Sequence, residues 1–428
     1  MTDYLFPMNY FRILLLCCGL LFSIAAQAQS KISGIVLDSV THEPLAFASV
    51  FLANTTLGAT TSEKGEFEFP RVPKGTYDIV GSYVGYRLGK QTITVETTPL
   101  KLTINLAPTG NQLGEVIVKP EPNKPEDYRR FAELFLGGST FSEQCHISNP
   151  NDVRVMLDDS TQELSARTKE FLQIDNDALG YRLKYYGLYF SFDKEAQSIT
   201  YYGQPVFEEM KPRDEAQRRL WAANRLTAYT GSFMHFLRCL YTNRLEAGSF
   251  LAQQIKVTPN PRYERAQQQR EALLAAGAAG AYSPAEKDSL RRWSRELPEL
   301  TTLYPEPRPI DSLRRVKPNG RTYMRFSGEL QAAHFGEAPD PRFKQPMSTL
   351  GYSRTPFPPL RQVSRLQLAD GEAEIQADGS LRNPLAVAIG GYWGFEKIGE
   401  FLPYDYVPTG MPTPARVSAP APRPVRRR

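Results

Sequence analysis

Apolar and polar side chains alternate in short runs along residues 31–107, and turn residues interrupt the runs at intervals of roughly ten positions. In Phe67-Glu68-Phe69 every second side chain is apolar, which gives a strand one buried and one wet face. Gly65 and Gly75 stand between runs, where a hairpin loop often needs positive φ. This spacing favours a small β-sandwich. The predicted strands cover residues 32–37, 46–53, 66–69, 76–82, 91–96 and 101–106.

From residue 128 onward the pattern mixes helical and strand periods. Residues 128–136 predict a short amphipathic helix that stops at Gly137. Residues 213–245 carry one apolar stripe at helical spacing, and Gly231-Ser232 predicts a break between two helices. Alternation predicts further strands. They cover residues 153–157, 163–166, 171–175, 181–188, 189–193, 199–202, 323–326, 363–368, 373–376 and 385–389.

Between these two groups of strands the composition changes. Residues 263–300, rich in Ala, Arg, Gln and Glu, predict two exposed helices about a flexible apex, and the prolines of residues 304–309 predict a stiff spacer. The predicted fold class is mainly β, with an α+β second region of mixed antiparallel strands and helices. The predicted segments are a signal peptide (1–28), the sandwich (29–110), a linker (111–127), an α+β region (128–258), a helical and Pro-rich insertion (259–320), an antiparallel β region (321–410) and a disordered tail (411–428).

The first residues have the pattern of a secretion signal. Arg12 precedes an apolar run over residues 13–22, and Ala26-Gln27-Ala28 fits a small-residue cleavage site before Gln29. The run is too short to span a bilayer comfortably. Export with removal of this segment is predicted, and an uncleaved membrane anchor is the alternative. Cys17 follows Leu14-Leu15-Leu16, which lacks the small residue of a lipoprotein signal, so simple export is favoured over lipidation.

Charge and cysteine content narrow the function classes. The formal net charge is +5 over 428 residues, and the chain has no long basic stripe, so nucleic-acid binding is not expected. A hydrophobic share of 41% is sufficient for real cores. After removal of the signal, Cys145 and Cys239 remain; they either form one disulfide or fill core positions as small hydrophobes.

Several motifs of the first domain resemble one known family. They are Ser33-Gly34-Ile35-Val36-Leu37-Asp38, Pro44-Leu45-Ala46-Phe47, Gly65-Glu66-Phe67, Pro73-Lys74-Gly75-Thr76-Tyr77 and Val84-Gly85-Tyr86. Residues 31–107 are similar to the carboxypeptidase-regulatory-like domain. The resemblance implies a seven-stranded, prealbumin-like β-sandwich in an exported or outer-membrane protein of Bacteroidetes. Ser62 departs from the acidic turn residue frequent in that family, which implies a weaker turn hydrogen bond within the same fold.

The resemblance to this regulatory-like domain does not imply peptidase activity. In metallocarboxypeptidases a separate catalytic domain carries zinc on a His-x-x-Glu pair and a distant downstream histidine. In this chain the pair is His334-Phe335-Gly336-Glu337, no histidine follows it, and Pro339 places it in a turn-like segment. Neither a metal, a cofactor nor zinc peptidase activity is expected.

Two further resemblances extend beyond the sandwich. Residues 113–118, Leu-Gly-Glu-Val-Ile-Val, resemble the segment that leads from such a sandwich into the plug of TonB-dependent outer-membrane receptors. The rest of the chain lacks the serial strands and aromatic girdles of a barrel. The resemblance therefore implies either an accessory component of an uptake system or simply the way in which this sandwich module ends. Residues 235–238 and 402–406 are similar to an uncharacterised region that follows this sandwich in other Bacteroidetes proteins. That likeness implies a shared fold and brings no catalytic residues.

Four residues are candidates for chemistry: His235, Cys239, Tyr392 and Trp393. His235 and Cys239 stand four apart, so both are predicted to project from one helix face, away from the apolar stripe. They form either part of a metal or thiolate–base site or a packed pair, the interpretation favoured here. Tyr392 and Trp393 either line a carbohydrate or peptide groove or cap a core, which is favoured. An open cleft with a carboxylate would support an enzyme, and apolar enclosure would oppose it.

The sequence contains no nucleophile elbow, Walker-type loop, dinucleotide fingerprint or paired-cysteine zinc motif. The leading prediction is a non-enzymatic binding or assembly protein of the periplasm or outer membrane, with no transmembrane helix after signal removal. Its expected partners are an outer-membrane or other cell-envelope protein, or a glycan or peptide ligand. The alternative is a peptide or glycan hydrolase whose site surrounds the four candidate residues.

Overall fold

The structure, a computed structural model, describes residues 29–109, 123–276, 282–344 and 361–409. Contacts divide the chain into two units, the first holding the sandwich and the second almost everything after it. The predicted signal peptide, the TonB-like segment at residues 113–118 and the predicted tail lie outside the described residues. Within the described ranges, every helix is too short or too polar to cross a membrane.

Seven strands build two sheets in the first unit. They are β1 (Gln29–Asp38), β2 (Ser49–Leu52), β3 (Gly58–Thr60), β4 (Glu66–Pro73), β5 (Gly75–Ser82), β6 (Gly89–Val95) and β7 (Leu100–Leu106). The sheet orders are β4-β1-β7 and β3-β2-β5-β6, and the pair β1–β7 is parallel. Inward-facing Ile32 and Val36 of one sheet meet Val50 and Ile79 of the other in a shared core. The predicted seven-stranded sandwich is confirmed.

The second unit begins with a helix packed on a six-stranded sheet. Its elements are α1 (Pro125–Leu136), β8 (Cys145–Ile147), β9 (Val153–Leu157), β10 (Leu164–Thr168), β11 (Phe171–Asn176), β12 (Tyr181–Asp193) and β13 (Ser198–Glu209). Phe131 and Phe135 of α1 stack on each other and meet Phe190 of β12 edge-on. These rings are fully buried in a cluster that we call core A.

β12 is one 13-residue strand, although the sequence predicts two strands that meet at residues 188 and 189. The register with β13 shifts between Tyr186 and Tyr189, and Gly187 between them has a φ of +58°. Such a bulge bends a strand without ending it, because pairing resumes beyond the extra residue. The opposite side of β12 pairs with β11 and then with β10.

Two helices follow, α2 (Glu215–Tyr229) and α3 (Phe233–Tyr241), with the predicted break between them. Gly231 has a φ of +82°, a value that L-residues adopt only with strain. The Ser232 hydroxyl accepts a hydrogen bond from the His235 N–H and caps the N-terminus of α3.

The remaining strands form a five-stranded sheet, in the order β15-β14-β18-β19-β21, and a three-stranded sheet, β16-β17-β20. The elements are β14 (Phe250–Pro259), α4 (Tyr263–Ala276), α5 (Pro284–Trp293), β15 (Glu299–Pro307), α6 (Ile310–Leu313), β16 (Arg314–Val316), β17 (Thr322–Arg325), β18 (Glu329–His334), β19 (Gln362–Leu368), β20 (Glu372–Ile375), β21 (Val387–Gly391) and α7 (Tyr392–Phe395). Phe236, Leu240 and Phe250 anchor the second hydrophobic cluster, which we call core B.

This sheet corrects two expectations. The predicted stiff spacer at residues 304–309 belongs to β15 as far as Pro307, and β15 pairs with β14 on the other side of the helical insertion. The pattern also missed β14 and β18. Both strands bury polar side chains, and Gln331 donates a hydrogen bond to Gln253 across the pair at 3.3 Å, so the apolar alternation that signals a strand is broken.

Candidate functional site

The predicted candidate His235 lies on α3 inside core B, beside a second buried histidine on β18. The His235 and His334 rings are 5.9 Å apart, and their side chains are 4% and 2% exposed. Phe250 packs against both rings, at 5.0 and 4.8 Å. His235 lies on the side of α3 away from the apolar stripe, and Phe250 of β14 and His334 of β18 cover that side as well.

Both imidazoles are held in the neutral form. Burial, followed by the nearby charges of His334 and Arg238, lowers the pKa of His235 to about 4. Burial also lowers the pKa of His334 to about 4. The Gly231 N–H donates to Nδ1 of His235 at 3.2 Å, an interaction that requires this nitrogen to be unprotonated.

Cys239 shares the enclosure of His235. Its side chain is 9% exposed and belongs to core B. Burial raises the pKa of its thiol to about 11, so the thiolate is absent at neutral pH. Cys145 packs at the edge of core A with a pKa raised to about 12, and both cysteines are free thiols.

Tyr392 and Trp393 form the first turn of α7, and both are buried in core B. The Trp393 indole N–H donates to the Gly231 carbonyl at 2.7 Å, and its backbone N–H donates to the Ser364 hydroxyl at 3.0 Å. The Tyr392 hydroxyl accepts from the Asp340 N–H at 3.0 Å. These contacts satisfy the polar ends of both side chains within the fold.

Next to Tyr392 lies a group of three glutamates with perturbed acidity, and we call it the glutamate group. Burial raises the pKa of Glu337 and of Glu400 to about 7, and Glu396 is raised well above its ordinary value. The charges of Glu400 and Glu337 raise the pKa of Glu396 further, and the charge of Glu337 also raises that of Glu400, because like charges disfavour ionisation of a neighbour. In the part of the chain that the structure describes, no three His, Cys, Asp or Glu side chains are placed to hold a metal ion.

Two open clefts lie elsewhere on the second unit. A cleft of about 280 Å³ is lined in part by Tyr181 and Arg225, and a cleft of about 380 Å³ is lined in part by Arg130 and Phe192. Neither cleft is lined by His235, Cys239, Tyr392 or Trp393. The four predicted candidates thus share one buried region without opening onto these clefts.

The outer face of the six-stranded sheet carries a feature that the sequence reasoning missed. Pairing aligns Arg154 of β9, Arg167 of β10, Tyr189 of β12 and Tyr202 of β13 in one line across four neighbouring strands. We call this line the Arg–Tyr row. Tyr202 is 48% exposed, and residues on alternate positions of the same strands face core A. The row therefore lies on the solvent side of the sheet.

The side chains of the Arg–Tyr row are ordered by their own contacts. The rings of Tyr189 and Tyr202 stack with centres 4.8 Å apart and planes 20° apart. The Arg167 guanidinium lies 5.2 Å from the centre of the Tyr189 ring. Because β12 lies between β10 and β13, Tyr189 is held between Arg167 and Tyr202. Alternation in residues 181–193 signals an exposed face, but the line itself depends on the register between strands.

Residues 32–118 match the family model of the CarboxypepD_reg-like domain. This match confirms the resemblance stated for the sandwich and covers the first unit's strands. A search of curated proteins found no match.

Three solved structures that are similar to part of the chain each cover about a fifth of it. They include the pilus 2b backbone protein of group B streptococcus, 18% identical over 18% of this chain and 41% of that one, with a TM-score of 0.17. A putative carbohydrate binding protein from Pseudomonas aeruginosa is 16% identical over 20% and 93%, with a TM-score of 0.16. The C-terminal domain of a shaft pilin from Lactobacillus rhamnosus GG is 14% identical over 19% and 98%, with a TM-score of 0.16. The match spans less than two thirds of the pilus protein.

Proposed function

We propose that the protein is a non-enzymatic, exported binding or assembly protein of the periplasm or outer membrane, and that the Arg–Tyr row is its binding surface. The observation that carries this proposal is the exposure of Tyr202 and Arg167 on the open face of a sheet, where they flank the half-buried ring of Tyr189. The regulatory-like domain at residues 32–118 is consistent with a role in binding.

The row is not what folding alone would select. The exposed guanidinium of Arg167 lies beside the Tyr189 ring, where a surface side chain contributes little to stability. Tyr202 leaves nearly half of its surface in water, where its ring gains little from burial. A partner that contacts the row would cover the Tyr202 ring and neutralise the Arg167 guanidinium.

Site-specific photo-crosslinking in cells tests the proposal. Thr200 lies on the same exposed face of β13 as Tyr202, so a Thr200→p-benzoylphenylalanine variant should form an adduct that is absent from Arg218→p-benzoylphenylalanine on exposed helix α2. Adding Arg167→Met or Tyr202→Ala should remove the adduct. Equal labelling at Thr200 and Arg218, or an adduct unaffected by both substitutions, would refute a specific surface.

The same experiment addresses the expected location. Cell fractionation before crosslinking should recover the protein with the periplasm or outer membrane. An adduct with a receptor barrel would support the accessory role in TonB-dependent uptake that the resemblance of residues 113–118 suggests. Recovery as a free soluble protein without any adduct would oppose both roles.

A hydrolase of peptide or glycan is the second candidate, and the glutamate group beside Tyr392 favours it. A carboxyl group with a pKa near 7 retains a proton at neutral pH and can serve as a general acid, as Glu400 would. Activity against peptide or glycan libraries that Glu400→Gln abolishes, and that His235→Ala leaves unchanged, would place the chemistry at the glutamate group. Equal activity of wild type and Glu400→Gln would rule it out there.

A further inference from the structure

We propose that the Arg–Tyr row binds an acidic saccharide, a glycan whose pyranose rings carry carboxylate groups. This inference rests on the binding function proposed above and names its ligand class. The positive charge of the row favours an anionic ligand. Its tyrosine rings favour a ligand with sugar rings that can stack on them.

Arg167 supplies the electrostatic attraction for an anion. A guanidinium presents donors in a planar fork that matches the two oxygens of a carboxylate. Arg167 is exposed, and its contact within the row is the Tyr189 ring. Glu163, a neighbouring carboxylate on this face, accepts a hydrogen bond from the Ser191 hydroxyl at 2.5 Å. An incoming carboxylate would therefore meet the exposed guanidinium of Arg167.

Tyr202 supplies an aromatic surface at the edge of the sheet. β13 pairs with β12 and with no other described strand, so the ring of Tyr202 has Tyr189 on one side and the sheet edge on the other. The apolar C–H face of a pyranose ring packs on a tyrosine ring, while phenol hydroxyls can bond the sugar hydroxyls. Stacking already fixes both rings, so little side-chain freedom is lost on binding.

The spacing of the row suits more than one sugar ring. Arg167 and Tyr202 stand two strands apart, which is about 10 Å at the usual distance between strands. An oligosaccharide can bridge this span, with one ring on the outer face of Tyr202 and the carboxylate of a later ring at Arg167. The hydroxyls of Ser165 and Ser191 line the adjacent row; they donate to Met156 and Glu163 and can still accept hydrogen bonds.

An acidic peptide is the competing occupant, and the geometry favours it less. Extended peptides gain most of their affinity by pairing backbone groups with an exposed strand edge, and their side chains fill pockets. The Arg–Tyr row stands on the face of the sheet, where the backbone groups of β10 and β12 are already paired on both sides. A saccharide needs no such pairing, because its hydroxyls bond to side chains.

Isothermal titration with defined oligosaccharides tests the inference on the mature chain. The probes are oligogalacturonate, its methyl ester and poly-L-glutamate. We expect binding of oligogalacturonate that weakens as salt is raised, and none of the uncharged ester. Arg167→Met and Tyr202→Ala should each weaken binding about tenfold, while Arg218→Met on α2 should leave it unchanged. Thermal melting of each variant checks that the fold is intact.

The outcomes separate this inference from the proposed function. Equal binding of poly-L-glutamate, with the same dependence on Arg167 and Tyr202, would replace the saccharide by an acidic peptide. Failure of all three probes, while the adduct at Thr200 persists in cells, would overturn the saccharide and leave the binding function standing. Failure of the probes together with loss of the adduct would overturn both.

Discussion

Two arginines of the second unit make the same aromatic contact in opposite surroundings. The guanidinium of Arg238 lies 5.2 Å from the centre of the Tyr229 ring, and that of Arg167 lies 5.2 Å from the centre of the Tyr189 ring. Arg238 is 8% exposed on α3, whereas Arg167 is exposed on the open sheet face. Contact with a tyrosine ring therefore does not distinguish Arg238, which has a structural role, from Arg167, which is available to a ligand.

The difference lies in the other partners. Arg238 donates to the backbone carbonyls of Asp378, Tyr406 and Tyr404 at 2.8, 3.0 and 2.9 Å, which ties two distant chain segments to α3. A buried cation is tolerated when its donors are satisfied in this way. Arg167 has its guanidinium in water instead, so its hydrogen-bonding capacity is available to an external anion. We infer that Arg238 holds the fold together and Arg167 serves recognition.

We expect the largest loss of stability when Arg238 is replaced. Replacing it in an Arg238→Met variant keeps much of the side-chain volume but leaves three carbonyls without their donor. We expect a loss of about 3–5 kcal/mol in the free energy of unfolding, as for the removal of one partner from a buried charged contact. Urea unfolding of the second unit, followed by tryptophan fluorescence, measures it.

Arg167→Met is the matched control for this comparison. It removes the same group from the same kind of ring contact, yet it should change the free energy of unfolding by no more than about 0.5 kcal/mol, since surface substitutions seldom exceed that. Similar losses for Arg238→Met and Arg167→Met would show that burial and carbonyl contacts do not separate the two arginines.

Acidification should lower the free energy of unfolding by a smaller amount, and this loss comes from the buried region that contains His235. Because burial lowers the pKa of His235 to about 4, the unfolded chain binds more protons than the folded chain between that value and the ordinary 6.5. Stability is therefore retained above pH 6.5 and lost as the pH falls towards 4. We expect His235 to account for about 1–2 kcal/mol of the loss between pH 7 and pH 5.

His235→Asn isolates this contribution, because the amide oxygen can still accept the Gly231 N–H without titrating. The difference in unfolding free energy between wild type and His235→Asn should shrink or reverse on acidification over this range. The glutamate group titrates in both proteins, so it largely cancels in the difference. A difference that is constant from pH 7 to pH 5 would mean that His235 titrates normally and is not enclosed as described.

The chain-local features of this protein were set by the sequence itself. Alternation and turn glycines predicted the strands of the sandwich, and the Gly231-Ser232 pair predicted the helix break, where the structure finds a positive φ and a side-chain cap. These signals are reliable because each depends on neighbours a few residues away, through side-chain period and backbone sterics.

The candidate sites were decided by the tertiary structure. His235 and Cys239 are buried because β14 and β18 cover α3, and these strands bury Gln253, Gln331 and His334, which hides them from a search for apolar alternation. The Arg–Tyr row joins residues from four strands and exists only because long-range pairing fixes their register. A shift of one residue would turn each of these side chains to the other face of the sheet. Residue types and local periods are written in the chain, but burial and alignment depend on partners that only folding brings together.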